Sequence, residues 1–294
     1  MATTLNPTHV STTRVARRFQ LSRLWQLAAA HLALLLYTAL ALFPIFLVVV
    51  NSFKNRRAIF AMPYALPTAE TWDPVGYQTV FNNANFGLYF ANSLIVTIGA
   101  LVLILLAGTM ASYALAEYRF PGNTLLGLYL ALGIMVPIRL GTVGILRLVV
   151  ALGLADTLWA LILVYTASGL PLAIFIMTQF MRQVPRELKD AARVDGASEY
   201  RIYWMTLPLV RPALGTVAVF NMIPIWNDLW FPLILAPSEN VKTVTLGAQV
   251  FLGQFVNDWN AVLASLTLAI IPVVVLYILF SRQLIRGLTA GAVK

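Results

Sequence analysis

The sequence contains no cysteine, which excludes a disulfide framework and any thiolate metal site. Its two histidines, His9 and His31, lie far from clustered carboxylates, so no metal centre is expected. Charge is scarce as well: 11% of the 294 residues, against about a quarter in a soluble protein of this size. A phosphate-cradling G-x-x-x-x-G-K-S/T loop is also missing. None of the four lysines, Lys54, Lys189, Lys242 and Lys294, follows a glycine, so nucleotide is not bound in the P-loop manner.

What remains is apolar, 60% of the chain, and it comes in long runs. No charge falls between Arg23 and Lys54, Asp73 and Glu117, Asp156 and Arg182, Arg211 and Asp228, or Asp258 and Arg282. A membrane helix needs about 20 mostly apolar residues. Backbone groups in lipid must be satisfied within the segment, so uniformly apolar runs of this length are expected to be helices. The sequence therefore predicts an all-α, polytopic membrane protein with about six spans: Ala28–Val50, Phe90–Ala116, Leu125–Ile138, Leu158–Phe180, Pro212–Pro232 and Ala261–Phe280. Pro137 and Arg139 cut the third short, and the apolar continuation Leu140–Ala155 reads as a bent or interfacial helix. The first run is long enough to span and is expected to persist as a span rather than to serve as a removed signal.

Lysine and arginine set the orientation. With the N-terminus inside, only Lys54, Arg56, Arg57, Arg139, Arg147 and Lys242 of the 20 fall outside, so both termini are expected in the cytoplasm of an inner membrane. The net charge of +9 is then largely a topological signal, and no nucleic-acid partner is expected. The divisions implied are a tail 1–27, a transmembrane domain 28–284 and a tail 285–294.

One segment breaks the apolar pattern. From Arg182 to Glu199, eight of 18 residues are charged. Pro185 suits a first helical turn, Leu188, Ala191 and Ala192 recur at helical spacing, and Arg186 and Asp190 are spaced i,i+4. Gly196 supplies a left-handed stop, and Ser198 can cap a second helix with an aromatic stripe of Tyr200, Tyr203 and Trp204. A helix–turn–helix across the cytoplasmic face follows. On these residues alone, an ordinary amphipathic connector resting on headgroups is the favoured reading.

The run Asp190-Ala191-Ala192-Arg193-Val194-Asp195-Gly196-Ala197-Ser198, followed by Leu207-Pro208-Leu209, resembles the signature loop of ABC-importer permeases, in which Glu-Ala-Ala, three residues and Gly precede Ile-x-Leu-Pro. The flanks Pro185-Arg186-Glu187-Leu188 and Arg211-Pro212-Ala213-Leu214, and the ending Gly287–Lys294, are similar to the maltose-type carbohydrate permeases. Asp190 stands where that family has glutamate, and the Gly196–Pro208 interval is one residue short. The resemblance implies a type I importer permease fold and half of a solute pathway, completed by a second permease. It further implies two ATP-binding subunits, which hold ATP and magnesium, and an extracytoplasmic solute-binding protein. It places Glu187, Asp190, Ala191, Ala192, Asp195, Gly196, Leu207 and Pro208 (loop 182–211) against the ATPase, with further contacts from Thr289, Gly291 and Lys294.

For the pathway, Asn221, Trp226, Asn227 and Asp228 lie in or beside the fifth run, and Asn92 in the second. An intramembrane carboxylate normally faces a bundle interior or a wet cavity. Aromatic faces beside amide and carboxylate groups suit a sugar, whereas an interfacial aromatic belt would use the same residues differently. The rival reading, an ion-gradient-driven transporter, usually carries internal repeats and midplane ionisable groups. No clear repeat is visible here, and Asp228 alone is a candidate relay.

Overall fold

The computed structural model describes the backbone of residues 12–83, 85–252 and 258–292, and the side chains of residues 25–82, 85–252, 258–275, 277 and 278. Apart from isolated β-bridge positions, among them an antiparallel bridge between Lys54 and Trp72, the regular structure among the described residues is helical. The helices are α1 (Thr12–Asn51), α2 (Arg56–Ala61), α3 (Val75–Asn83), α4 (Phe86–Glu117), α5 (Asn123–Leu132), α6 (Thr142–Ala151) and α7 (Leu158–Gln183). They continue with α8 (Arg186–Val194), α9 (Glu199–Thr206), α10 (Arg211–Asn227), α11 (Trp230–Leu235), α12 (Val244–Ala248) and α13 (Trp259–Ala292).

Three single helices along the expected runs are long and apolar enough to cross a membrane: Trp25–Asn51 within α1, then α4 and α7. A fourth apolar stretch, Glu199–Asn227, takes in α10, and α13 carries the last. The third expected span is a bent pair: Asn123–Met135 and Ile138–Ala151 diverge by 84°. Pro137 stands at that corner, where its missing N–H and fixed φ end one helix, and short 3-10 turns lie on either side. The fifth expected run also breaks. It ends as α10 at Asn227 and resumes as α11, because Asp228 adopts an extended backbone. At the chain's two ends, helix extends into both expected tails, from Thr12 and through Ala292.

Packing density separates the elements. Leu32, Leu35, Leu36, Tyr37 and Leu40 on α1 are all exposed, Leu40 at 73%, as suits a helix whose surroundings are acyl chains. The centre is the α4–α7 pair with α10 laid across it. There Gly108 meets Ala173, and Gly169 lies beneath Asn221 and Ile104, so close that a Cβ at 169 would stand 2.4 Å from the Asn221 Oδ1. Small residues permit such approach, which is how membrane helices gain dispersion contacts without a hydrophobic driving force. A second cluster joins α3, α10, α12 and α13 around Val80, Trp226, Val244 and Ala261.

The two ends of the bundle differ. At one, α8 and α9 fold against the last turn of α4. At the other, residues 51–83 build a cap. Asn55 caps α2 by accepting from the Ala58 N–H at 2.9 Å, and Phe53 stacks on both Trp72 and Tyr77 at 5.0 Å. Lys54 is buried, its ammonium donating to the Asn51 Oδ1 (3.0 Å) and the Met62 carbonyl (2.9 Å). Burial pushes its pKa below the ordinary lysine value. Asparagine and proline in this stretch, Asn55 before α2 and Pro74 before α3, position its short helices.

Candidate functional site

The charged loop folds as its residues dictate. Glu187 occupies the first turn of α8 and Arg193 the last, each of the sign that the helix dipole favours. Gly196 has φ +76°, and the Ala197 N–H reaches back to the Ala192 carbonyl at 2.9 Å while the Gly196 N–H reaches Arg193 at 3.0 Å. This is a left-handed helix stop that glycine enters without strain. Ser198 then caps α9, its hydroxyl accepting from the Arg201 N–H. Glu187, Asp190, Ala191, Asp195 and Gly196 are exposed and Ala192 is half-buried, so the loop presents small and acidic groups outward. Leu188 and Val194, the latter 88% exposed, extend that face with apolar surface.

The expected aromatic stripe divides. Tyr200 and Trp204 are exposed, whereas Tyr203 is buried with its hydroxyl 2.7 Å from that of Thr109 on α4. Leu207 packs partly against the core and Pro208 is exposed, both in a 3-10 turn over Leu207–Val210 that takes the place of a further α-helical turn. Leu207, to which the resemblance gives an ATPase contact, is half-buried and packs in part against the bundle.

An ionic clamp ties this loop to the spans. The Glu117 carboxylate, at the end of α4, accepts from Lys189 and, at 2.7 Å, from Arg193. Arg193 also reaches Asp190 at 2.8 Å and Glu199 at 2.9 Å, while the hydroxyls of Tyr113 and Tyr118 donate to Glu199. Asp190 thus pairs with Arg193 rather than with Arg186, as i,i+4 spacing suggested. Hydrogen bonds to Glu199 and Glu117 raise the pKa of Arg193 further above its ordinary value, so it is cationic throughout the working range. Lys189 is 4% exposed, and its charge is compensated by Glu117. Sequence inspection gave Glu117 no role, because its partners lie more than 70 residues away. The one signal was a carboxylate ending a charge-free run of 43 residues.

The pathway residues divide more sharply. Asp228 is buried at the α10–α11 break, where it accepts from Tyr165 (2.8 Å), Arg139 (3.1 Å) and the N–H groups of Trp230 and Phe231. It is therefore both the cap of α11 and the link to the corner of the bent span. Asn221 donates to the Val217 carbonyl at 2.9 Å. Asn221 and Asp228 line one cavity of about 270 Å³ with Arg139, Tyr165, Ser168 and Phe220. The other expected residues point elsewhere. Trp226 is buried, edge-on to Phe90 at 5.6 Å, with its N–H on the Ala269 carbonyl, so its faces serve packing and not a solute. Asn92 is buried and holds the Asn240 and Lys242 carbonyls at 2.9 and 3.0 Å. Asn227 is exposed and bonds within its own helix. Trp230, 43% exposed with its N–H on Thr142, keeps an open face beside the bent span. At the C-terminus, Thr289 and Gly291 lie on the α13 backbone, and Lys294 lies outside the described residues.

The family model described as "Binding-protein-dependent transport system inner membrane component" matches residues 104–289, which contain both the charged loop and the cavity. The chain belongs to this family. It is thus a multi-pass permease component of an inner membrane. Among its relatives is the diacetylchitobiose uptake system permease protein NgcG of Streptomyces coelicolor, 32% identical over 91% of this chain and 89% of that protein. Another is the arabinooligosaccharides transport system permease protein AraQ of Halalkalibacterium halodurans, 34% identical over 87% and 92%. A crystal structure of a bacterial ABC transporter involved in import of the acidic polysaccharide alginate superposes with a TM-score of 0.75. It covers 94% of this chain and 99% of that one at 23% identity, a likeness of fold.

Proposed function

We propose that this permease is the transmembrane subunit of an ATP-driven sugar importer, forming half of the solute path and coupled to a separate ATPase through α8. The observation that carries the reading is the α8–α9 loop, which has an outward face of Asp190, Ala191, Val194 and Gly196 and is fastened to α4 by the Glu117 clamp. A push on such a loop is transmitted to a span rather than absorbed by a flexible linker. Both termini and α8 are placed in the cytoplasm, as the lysine and arginine distribution favours. The capped end with Lys54 and α12 then faces the solute-binding protein. A second permease, two ATP-binding subunits holding ATP and magnesium, and membrane lipid complete the assembly, with no nucleic acid.

The sugar assignment draws support from the relatives' substrates and from the cavity of Tyr165, Ser168, Asn221 and Asp228, whose hydroxyl, amide and carboxylate groups match sugar hydroxyls. The test is reconstitution with the partner subunits in vesicles. ATPase activity is expected to rise on adding binding protein with sugar, and Gly196→Arg is expected to abolish uptake while the ATPase subunits retain their own hydrolysis. Gradient-driven uptake without ATP, or normal uptake by the variant at native expression, would overturn the assignment.

A further inference from the structure

A cavity of about 530 Å³ lies where the end of α4, the start of α5, the end of α7 and the start of α8 meet. Four cations line it, Arg119, Arg182, Arg186 and Lys189, and no carboxylate does. Lys189 is compensated by Glu117. The three arginines are not: among the described residues no guanidinium of the three makes an ion pair or hydrogen bond with the protein. An adjoining space that Arg119 and Arg186 also line contains Glu117 and Glu199, but those carboxylates are occupied by Lys189, Arg193, Tyr113 and Tyr118. The cationic cavity is therefore uncompensated among the described residues.

A second observation identifies what fits it. The cavity shares Leu115, Asn123, Thr124 and Arg182 with another of about 270 Å³. This second space continues between the apolar helices α5 and α7, past Thr178 and Gln179, along Gly127, Leu128, Ala131, Ile174 and Phe175. A positive-inside bias explains why arginines occur at this end. It does not explain why three of them converge on one cavity that opens into an apolar groove. That shape, an anion seat joined to a hydrocarbon slot, is the shape of a phospholipid.

We propose that this site binds an anionic glycerophospholipid of the cytoplasmic leaflet, with the phosphate among Arg119, Arg182 and Arg186 and an acyl chain in the α5–α7 groove. The leaflet rests on the orientation proposed above. The lipid would bridge α5 and α7 to the start of α8, so bound lipid would brace the same loop that Glu117 clamps.

The test reads lipid binding on the purified full-length chain, not transport, so a failure of the importer reading leaves it intact. The chain is delipidated in mild detergent and titrated in native mass spectrometry with phosphatidylglycerol, with chain-matched phosphatidylcholine, and with glycerol 3-phosphate as competitor. Phosphatidylglycerol is expected to bind at least about tenfold more tightly than phosphatidylcholine. The variant R119Q/R182Q/R186Q is expected to lose that preference, and R119K/R182K/R186K to keep most of it, which controls for folding. Gly127 has no protein atom near the position of a Cβ, so Gly127→Leu fills the groove without disturbing the fold and is expected to weaken phosphatidylglycerol several-fold. Equal binding of the two lipids, or an unchanged preference in the glutamine variant, overturns the proposal. Glycerol 3-phosphate displacing the lipid equally well from wild type and Gly127→Leu identifies a soluble phosphate as the ligand and also overturns it. Expulsion of the lipid when the ATPase subunits assemble overturns it too, by assigning the arginines to that partner.

Discussion

Replacing Glu117 with glutamine strands Lys189, whose side chain is 5% exposed and whose charge Glu117 compensates. Removing one member of a buried pair costs about 3–5 kcal/mol, most of it the desolvation of the charge left behind. Glutamine keeps one acceptor oxygen, and Arg193 retains Asp190 and Glu199, so the low end applies, about 3 kcal/mol. At about 1.4 kcal/mol per decade, local opening of α8 becomes roughly a hundredfold more frequent. Amide hydrogen exchange of the chain in lipid nanodiscs reads this directly as a loss of protection over Arg186–Val194, with α4 and α7 unchanged in their middle turns. Adding Lys189→Met removes the stranded cation and is expected to restore α8 to within about tenfold of wild type, since an apolar replacement of a buried pair is often neutral. Unchanged α8 exchange in Glu117→Gln would refute the clamp. So would a double variant no better protected than the single one.

Asp228→Ala is expected to cost about 2–4 kcal/mol in denaturant or thermal unfolding in detergent, because α11 loses its cap and the Tyr165 hydroxyl loses its acceptor. Asp228→Asn keeps an acceptor for both, and the Arg139 side chain is 67% exposed, so its stability loss stays below about 1 kcal/mol and any larger fall in uptake reports the pathway. Gly76→Ala drives a Cβ to 2.2 Å from the Asn260 carbonyl oxygen, a backbone atom that cannot rotate away; α3 must lift off α13, at a cost of about 1–3 kcal/mol in the same unfolding assay. Asn92→Ala frees two carbonyls of the segment before α12, and limited proteolysis near Asn240–Lys242 should accelerate relative to wild type.

Sequence alone was enough for the class of this protein and for the place of its charged helix–turn–helix. Runs without charge can lie only in hydrocarbon as helices, and a charged helix with a glycine stop between two such runs must lie outside it. Local rules also fixed the Gly196 turn, the Ser198 cap and the break at Pro137, since each depends on a residue's own backbone preferences and nearest neighbours. Tertiary structure alone decided which polar residues open on a cavity. Trp226 and Asn92 have the composition of pathway residues, but helix packing turns them onto the Ala269 carbonyl and onto the loop before α12. Glu117 and Lys189 are 72 residues apart and Arg139 and Asp228 are 89 apart, and no periodicity links such positions. Pairing at that range follows from the crossing of α4 with α7 and the folding of α8 and α9 beneath them, so it exists only once the spans have packed.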